Sequence, residues 1–151
     1  DDEAELLVRS LFTLGFRTAE HGILENRATG RLATVRLVAP GEQADGVVVD
    51  LLFASSGIEP EIVALADTIE VLPGLLLPVI GTGHLLALKI LAGRAKDIAD
   101  AVALADFATP KDIEVAREAF ELIRKRGCDR GRDLHGTLNR LLAGDPIEVV
   151  G

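Results

Sequence analysis

At Gly81 the chain changes its periodicity, and this constrains the fold more than any other feature of the sequence. Before it, short apolar runs are broken every few residues by Pro40-Gly41, Asp45-Gly46 and Pro73-Gly74, the punctuation of strands and turns. After it, apolar residues recur at helical spacing and the breaks fall at Gly93, Gly127 and Gly144. The pattern predicts an α+β protein: a small mixed β-sheet with helices over 1–80, then a helical domain over 81–151.

Within the front part, Leu7, Leu11 and Leu14 define one face of a helix over Glu3–Leu14, stopped by Gly15. A turn-rich stretch follows through Asn26 and Gly30. Strands are expected at Leu32–Val38 and Gly46–Phe53, a helix at Pro60–Ala66, and short strands at Ile69–Val71 and Leu75–Ile80. The back part predicts helices over Gly83–Ala92, Lys96–Phe107, a Thr109-capped segment ending at Gly127, and Asp129–Ala143. Thr109-Pro110-Lys111-Asp112 has the form of a capping box, and Phe120 and Leu138 fall on the core stripes of their helices.

Composition narrows the function. With 3% aromatic residues and no Tyr or Trp, base-stacking platforms are unsupported. A lone cysteine, Cys128, excludes an internal disulfide and a Cys-rich zinc site and suits a reducing cytoplasm. No apolar run reaches the roughly 20 residues of a membrane span, so no membrane partner is expected. The net charge of −8 comes from residues 1–88, which hold 5 Lys/Arg against 13 Asp/Glu; residues 89–151 hold 11 of each. An acidic front argues against a nucleic-acid footprint over the whole surface but leaves room for a local basic patch at Arg124-Lys125-Arg126, Arg130 and Arg132. The default reading of those cations is complementation of a helix C-terminus on a solvated face, with RNA contact as the sharper alternative.

Two charges sit in apolar runs. Asp50 lies in Val47-Val48-Val49-Asp50-Leu51-Leu52-Phe53, where an ionised carboxylate needs a cation, a metal or several hydrogen bonds; taken alone, a strand-end or turn-capping role is its default reading. Lys89 has Leu85, Leu86, Ala92 and Gly93 at three and four residues, so it either snorkels to water or aims its ammonium at an anion. The segment Gly93-Arg94-Ala95-Lys96-Asp97-Ile98-Ala99-Asp100 sets two cations and two carboxylates at a helix start. Asp97 and Asp100 suit the helix dipole as caps, but capping does not account for Arg94 and Lys96. Gly81-Thr82-Gly83 lacks the spacing of a phosphate-binding motif, and Thr82 is expected to cap the following helix. His21, His84 and His135 show no metal-ligand spacing.

The run Val49-Asp50-Leu51-Leu52-Phe53-Ala54-Ser55-Ser56-Gly57-Ile58-Glu59, followed by Leu75-Leu76-Leu77-Pro78-Val79, Leu85-Leu86-Ala87-Leu88-Lys89 and Ala92-Gly93-Arg94-Ala95-Lys96-Asp97-Ile98-Ala99-Asp100, resembles the bacterial nucleotidyltransferases of the abortive-infection toxin (AbiEii-like) group, within the polymerase-β-like superfamily. The resemblance implies transfer of a nucleotidyl group from a nucleoside triphosphate to an RNA (tRNA included), protein or small-molecule acceptor, with Mg²⁺ held by carboxylates. It implies that Asp50 is the later metal-binding and catalytic carboxylate. It makes Lys89 the lysine that meets the triphosphate, with Arg94, Lys96 and Asp97 completing the nucleotide pocket. Asp50 and Lys89 are then expected to face one cleft.

Members of the group carry a Gly-rich turn and an Asp-x-Asp pair ahead of the first helix seen here. The chain opens at Asp1-Asp2-Glu3, contains no Met and has Leu65 where relatives place Arg. The expectation is therefore a nucleotidyltransferase fold lacking its N-terminal catalytic segment, unable to transfer nucleotides alone and prone to self-association through an open sheet edge. The alternatives are a non-catalytic nucleotide- or RNA-binding module of the same fold, or a helical adaptor whose charged run is structural.

Overall fold

A computed structural model describes residues 2–25, 32–41, 46–53, 56–147 and 149. The protein is α+β, as the periodicity predicts, with eleven elements among the described residues. They fall into two compact units, Asp1–Ser55 and Ser56–Gly151, whereas the periodicity changes at Gly81.

The first unit begins with helix α1 (Asp2–Thr13) and continues with strands β1 (Arg17–Glu25), β2 (Leu32–Val38) and β3 (Val48–Leu52). The strands form an antiparallel sheet in the order β1-β2-β3. Its core is small: Val8 from α1 with Val35 and Leu37, flanked by Leu11, Phe16, Leu51 and Phe53. Strand β1 replaces part of the expected turn-rich stretch. Gly22 hides it from the sequence, because the strand bulges there and the register jumps between Thr18 and Ile23. A Cβ at Gly22 would stand 2.5 Å from the Arg36 carbonyl oxygen, so only glycine fits the bulge.

The second unit contains helix α2 (Glu59–Ala64), the antiparallel hairpin β4 (Asp67–Leu72) and β5 (Leu75–Val79), and helices α3 (Thr82–Ala92), α4 (Ala95–Phe107), α5 (Pro110–Lys125) and α6 (Leu134–Ala143). Ile58 and Ile62 join the helical core, which draws α2 into this unit. Helix α3 packs against α4, α5 and α6 and buries Leu86, Ala87, Ile90 and Leu91. Phe120 and Leu138 are buried as predicted, with Ala116, Ile123, Leu134 and Leu141 around them. The capping box at Thr109 forms, with Asp112 closing back onto it.

Two helix starts differ from expectation. Helix α6 begins at Leu134 rather than Asp129, because Arg130 and Gly131 adopt positive φ and Asp133 caps the helix by accepting from the Gly136 N–H. Helix α3 is capped by Gly81, and Thr82 makes no capping hydrogen bond. Gly83 is there for packing: a Cβ would come within 2.5 Å of the Asp112 carbonyl oxygen and 2.8 Å of Val115. Both strands of the β4–β5 hairpin are exposed along nearly their whole length. No helix among the described residues is long and apolar enough to cross a membrane.

Candidate functional site

Helices α3 and α4 meet at Gly93, whose φ of 62° is the left-handed conformation that ends α3. The sharp reversal sets the last turn of α3 beside the first turns of α4, and charges eight and eleven residues apart in sequence become neighbours. Lys89 Nζ donates to Asp100 Oδ2 at 2.7 Å and to Asp97 Oδ1 at 3.2 Å. Arg94 Nε donates to the other oxygen of Asp97, Oδ2, at 2.5 Å. The Asp97 side chain is 3% exposed, Lys89 26% and Arg94 74%. One buried carboxylate thus holds two cations, and the outer one lies largely in water.

The electrostatics follow from this arrangement. The Arg94 hydrogen bond, aided by Lys89, holds the Asp97 carboxyl below its ordinary value against the opposing effect of burial. The bond that Lys89 donates to Asp100 leads in raising the Lys89 ammonium above its ordinary value, and Asp97 raises Arg94. Both cations and Asp97 are therefore charged at neutral pH. Neither aspartate caps α4: Arg94 is the N-cap residue and no side chain caps the helix. Lys96 is exposed on the first turn of α4 and makes no ion pair among the described residues. Of the expected nucleotide-binding residues, the fold joins Lys89, Arg94 and Asp97 in one network, with Lys96 in the same turn.

Asp50 is placed differently. In β3 the burial alternates, and Asp50 shares the outward face with Val48 and Leu52, which are 54% and 77% exposed. Its cross-strand partner is Arg36, whose Nε and Nη2 donate to its two oxygens at 2.7 and 2.8 Å. Arg36 holds the Asp50 carboxyl below its ordinary value. The apolar run that makes Asp50 look buried is half solvent-facing, so the carboxylate has water and a guanidinium and needs no metal. Each of the two awkward charges, Asp50 and Lys89, has its counter-ion inside its own unit.

Among the described residues no group of three or more His, Cys, Asp or Glu side chains is arranged to hold a metal ion. With both Asp50 oxygens engaged by Arg36, the described residues do not fit the Mg²⁺ that the resemblance implies.

Three further features escape the sequence. Arg126 reaches back 65 residues to grip both oxygens of Glu61, at 2.5 and 2.9 Å, and also donates to the Gly57 carbonyl. This guanidinium lowers the Glu61 carboxyl to about 2. His135 pairs with Glu121 at 2.8 Å and meets Phe120 edge-to-face at 5.2 Å. Arg132 lays its guanidinium against Gly93. The basic patch is thus partly consumed, since Arg124 pairs with Glu121 and Arg126 with Glu61. A scan of protein-family models and a search of curated proteins find no match to this chain.

Proposed function

We propose that the second unit contacts the triphosphate of a nucleotide through Lys89, Arg94 and Lys96, as a module of the nucleotidyltransferase kind whose reaction moves a nucleotidyl group to an RNA, protein or small-molecule acceptor. The observation that carries this reading is the network on Asp97. A buried carboxylate at the α3–α4 turn orients two cations, and Arg94 and Lys96 remain open to water beside them. Arginine and lysine so placed suit phosphate oxygens. The resemblance of the Leu88-Lys89 and Gly93–Asp100 runs to the AbiEii-like group supports the same assignment.

Transfer itself requires carboxylates converging on metal ions, and Asp50 paired to Arg36 offers no such site. In this reading the described residues bind the nucleotide, and among them no carboxylates are arranged to hold the metal ions of the transfer step. A cytoplasmic setting belongs to this reading, supported by the lone Cys128. So does self-association through a sheet edge, supported by the exposed Leu72, Leu75 and Leu76 of the hairpin.

The test is equilibrium binding of labelled nucleoside triphosphates to the chain and to Arg94→Gln and Lys96→Gln, with circular dichroism confirming the fold. Saturable binding that weakens about tenfold in each variant is expected, since each removes a charge-assisted hydrogen bond. Failure of the folded chain to bind any nucleoside triphosphate overturns the reading. Robust transfer to RNA or protein that Asp50→Ala abolishes overturns the claim that the described residues only bind.

A further inference from the structure

Arg132, in the turn between α5 and α6, brings a further cation to the α3–α4 turn from a distant part of the chain. Its guanidinium lies against Gly93 on the spot a Cβ would occupy, so a glycine at 93 makes room for it. The residue is partly buried, yet its side chain makes no hydrogen bond or ion pair among the described residues. The two carboxylates next to it in sequence are engaged elsewhere: Asp129 accepts from the Gly131 N–H and Asp133 from the Gly136 N–H. Complementing the dipole of α3 would place its donors on the last carbonyls of that helix, and it makes no such bond. Five N–H donors are thus presented to water at a place set by packing.

The neighbouring charges decide what those donors meet. Arg94 follows Gly93, so its Cα lies about 3.8 Å from that of the residue Arg132 covers. At this turn Lys89, Arg94, Lys96 and Arg132 stand against two carboxylates, Asp97 and Asp100. Lys89 shares both carboxylates and Arg94 shares Asp97, which leaves Arg132 and Lys96 without a counter-charge among the described residues. One lies at the residue before Arg94 and the other two residues after it. A local excess of cations attracts an anion, and cations spread along a turn suit several anionic centres in a row better than one.

We propose that Arg132 is a phosphate-binding residue of the α3–α4 turn, taking one phosphate of a chain whose others meet Arg94 and Lys96. The inference rests on the reading that Lys89, Arg94 and Lys96 contact a triphosphate, and adds to it a residue from the far side of α5. The planar fork of a guanidinium donates to two oxygens of one phosphate. The site then prefers an oligophosphate to a single phosphate. That chemistry is shared by a nucleoside triphosphate and a free phosphate chain.

The experiment titrates the full chain, Arg132→Gln and Arg132→Lys with inorganic tripolyphosphate and with orthophosphate by calorimetry, and follows the arginine Nε–H resonances by NMR. The Arg132 signal is assigned by its loss in Arg132→Lys. Tripolyphosphate should bind saturably and more tightly than orthophosphate, and should move the Arg132 Nε–H signal as it saturates. Arg132→Gln should weaken tripolyphosphate about tenfold, the loss of one charge-assisted contact, and Arg132→Lys, which keeps the charge without the fork, should fall between. An arginine that only packs on Gly93 would leave its signal unmoved. A nucleoside triphosphate that binds more tightly than tripolyphosphate assigns the phosphates to a nucleotide; equal affinity assigns them to a free phosphate chain. Undiminished tripolyphosphate binding by folded Arg132→Gln, or an unmoved Arg132 signal in the saturated wild type, overturns this proposal and leaves the reading of Lys89, Arg94 and Lys96 standing. A wild-type chain that binds neither tripolyphosphate nor a nucleoside triphosphate overturns both.

Discussion

Arg36 and Asp50 stand opposite each other across the β2–β3 ladder and are joined by two parallel hydrogen bonds of 2.7 and 2.8 Å on the outward face of the sheet. Such cross-strand pairs help set register and contribute little when both partners are wet. Asp50→Ala should therefore leave the thermal unfolding transition almost where it was. A loss comparable to truncating a core residue would show that the carboxylate is structurally essential.

The Asp97 network should be more costly to break. Asp97→Asn removes the charge that two cations share and should destabilise by about 1.5–3 kcal/mol, the range for hydrogen bonds to charged groups. Because Asp97 is held below the ordinary aspartate value of 3.8, its contribution is complete above that pH and is lost as pH falls through the lower folded value. Lys89 is raised above 10.5, so its contribution persists through neutral pH and is lost only at higher pH. Urea unfolding of both proteins should show a constant difference from pH 8 down to about 4, closing in stronger acid. A difference that grows on acidification would refute the assignment.

Glu61 follows the same sign. Arg126 lowers its carboxyl from 4.5 to about 2, so the pair stabilises the α2–α5 contact above pH 4.5 and loses effect as pH falls toward 2. Glu61→Gln should remove this part of the acid sensitivity while leaving the Asp97 part intact. Identical acid-unfolding profiles for the two proteins would count against it.

Phe120 is 1% exposed at the centre of the helical core. Truncation to alanine should cost about 3–5 kcal/mol, read as a lower urea midpoint at unchanged slope. A loss well under that range would place the residue outside the core.

Gly93→Ala tests the turn that assembles the site. At φ 62° any side chain is strained, by about 1–2 kcal/mol, and the added Cβ would fall 1.6 Å from Arg132 Nη1. The arginine tip can swing away, so backbone strain should dominate. The cost of Gly93→Ala should then be nearly the same in an Arg132→Ala background. If the second change abolishes the cost, the contact with Arg132 was its source.

What the sequence by itself determined is local. Glycine and proline punctuation, the Thr109–Asp112 capping box and the 3.6-residue stripes place α3, α4 and α5 almost to the residue, because each depends on neighbours three or four positions away. The convergence of Lys89, Arg94 and Asp97 was legible for the same reason, since only one short turn separates them. The tertiary structure decided whatever depended on distant partners. Gly22 breaks the alternation of β1, and only pairing with β2 makes that segment a strand. Asp50 looks buried until the sheet shows which face meets water and sets Arg36 beside it. Glu61 finds Arg126 across 65 residues, and Arg132 meets Gly93 only once the helices of the second unit have packed. Long-range pairing and burial belong to the packed chain, because a residue's one-dimensional neighbours do not specify which face will be covered or by what.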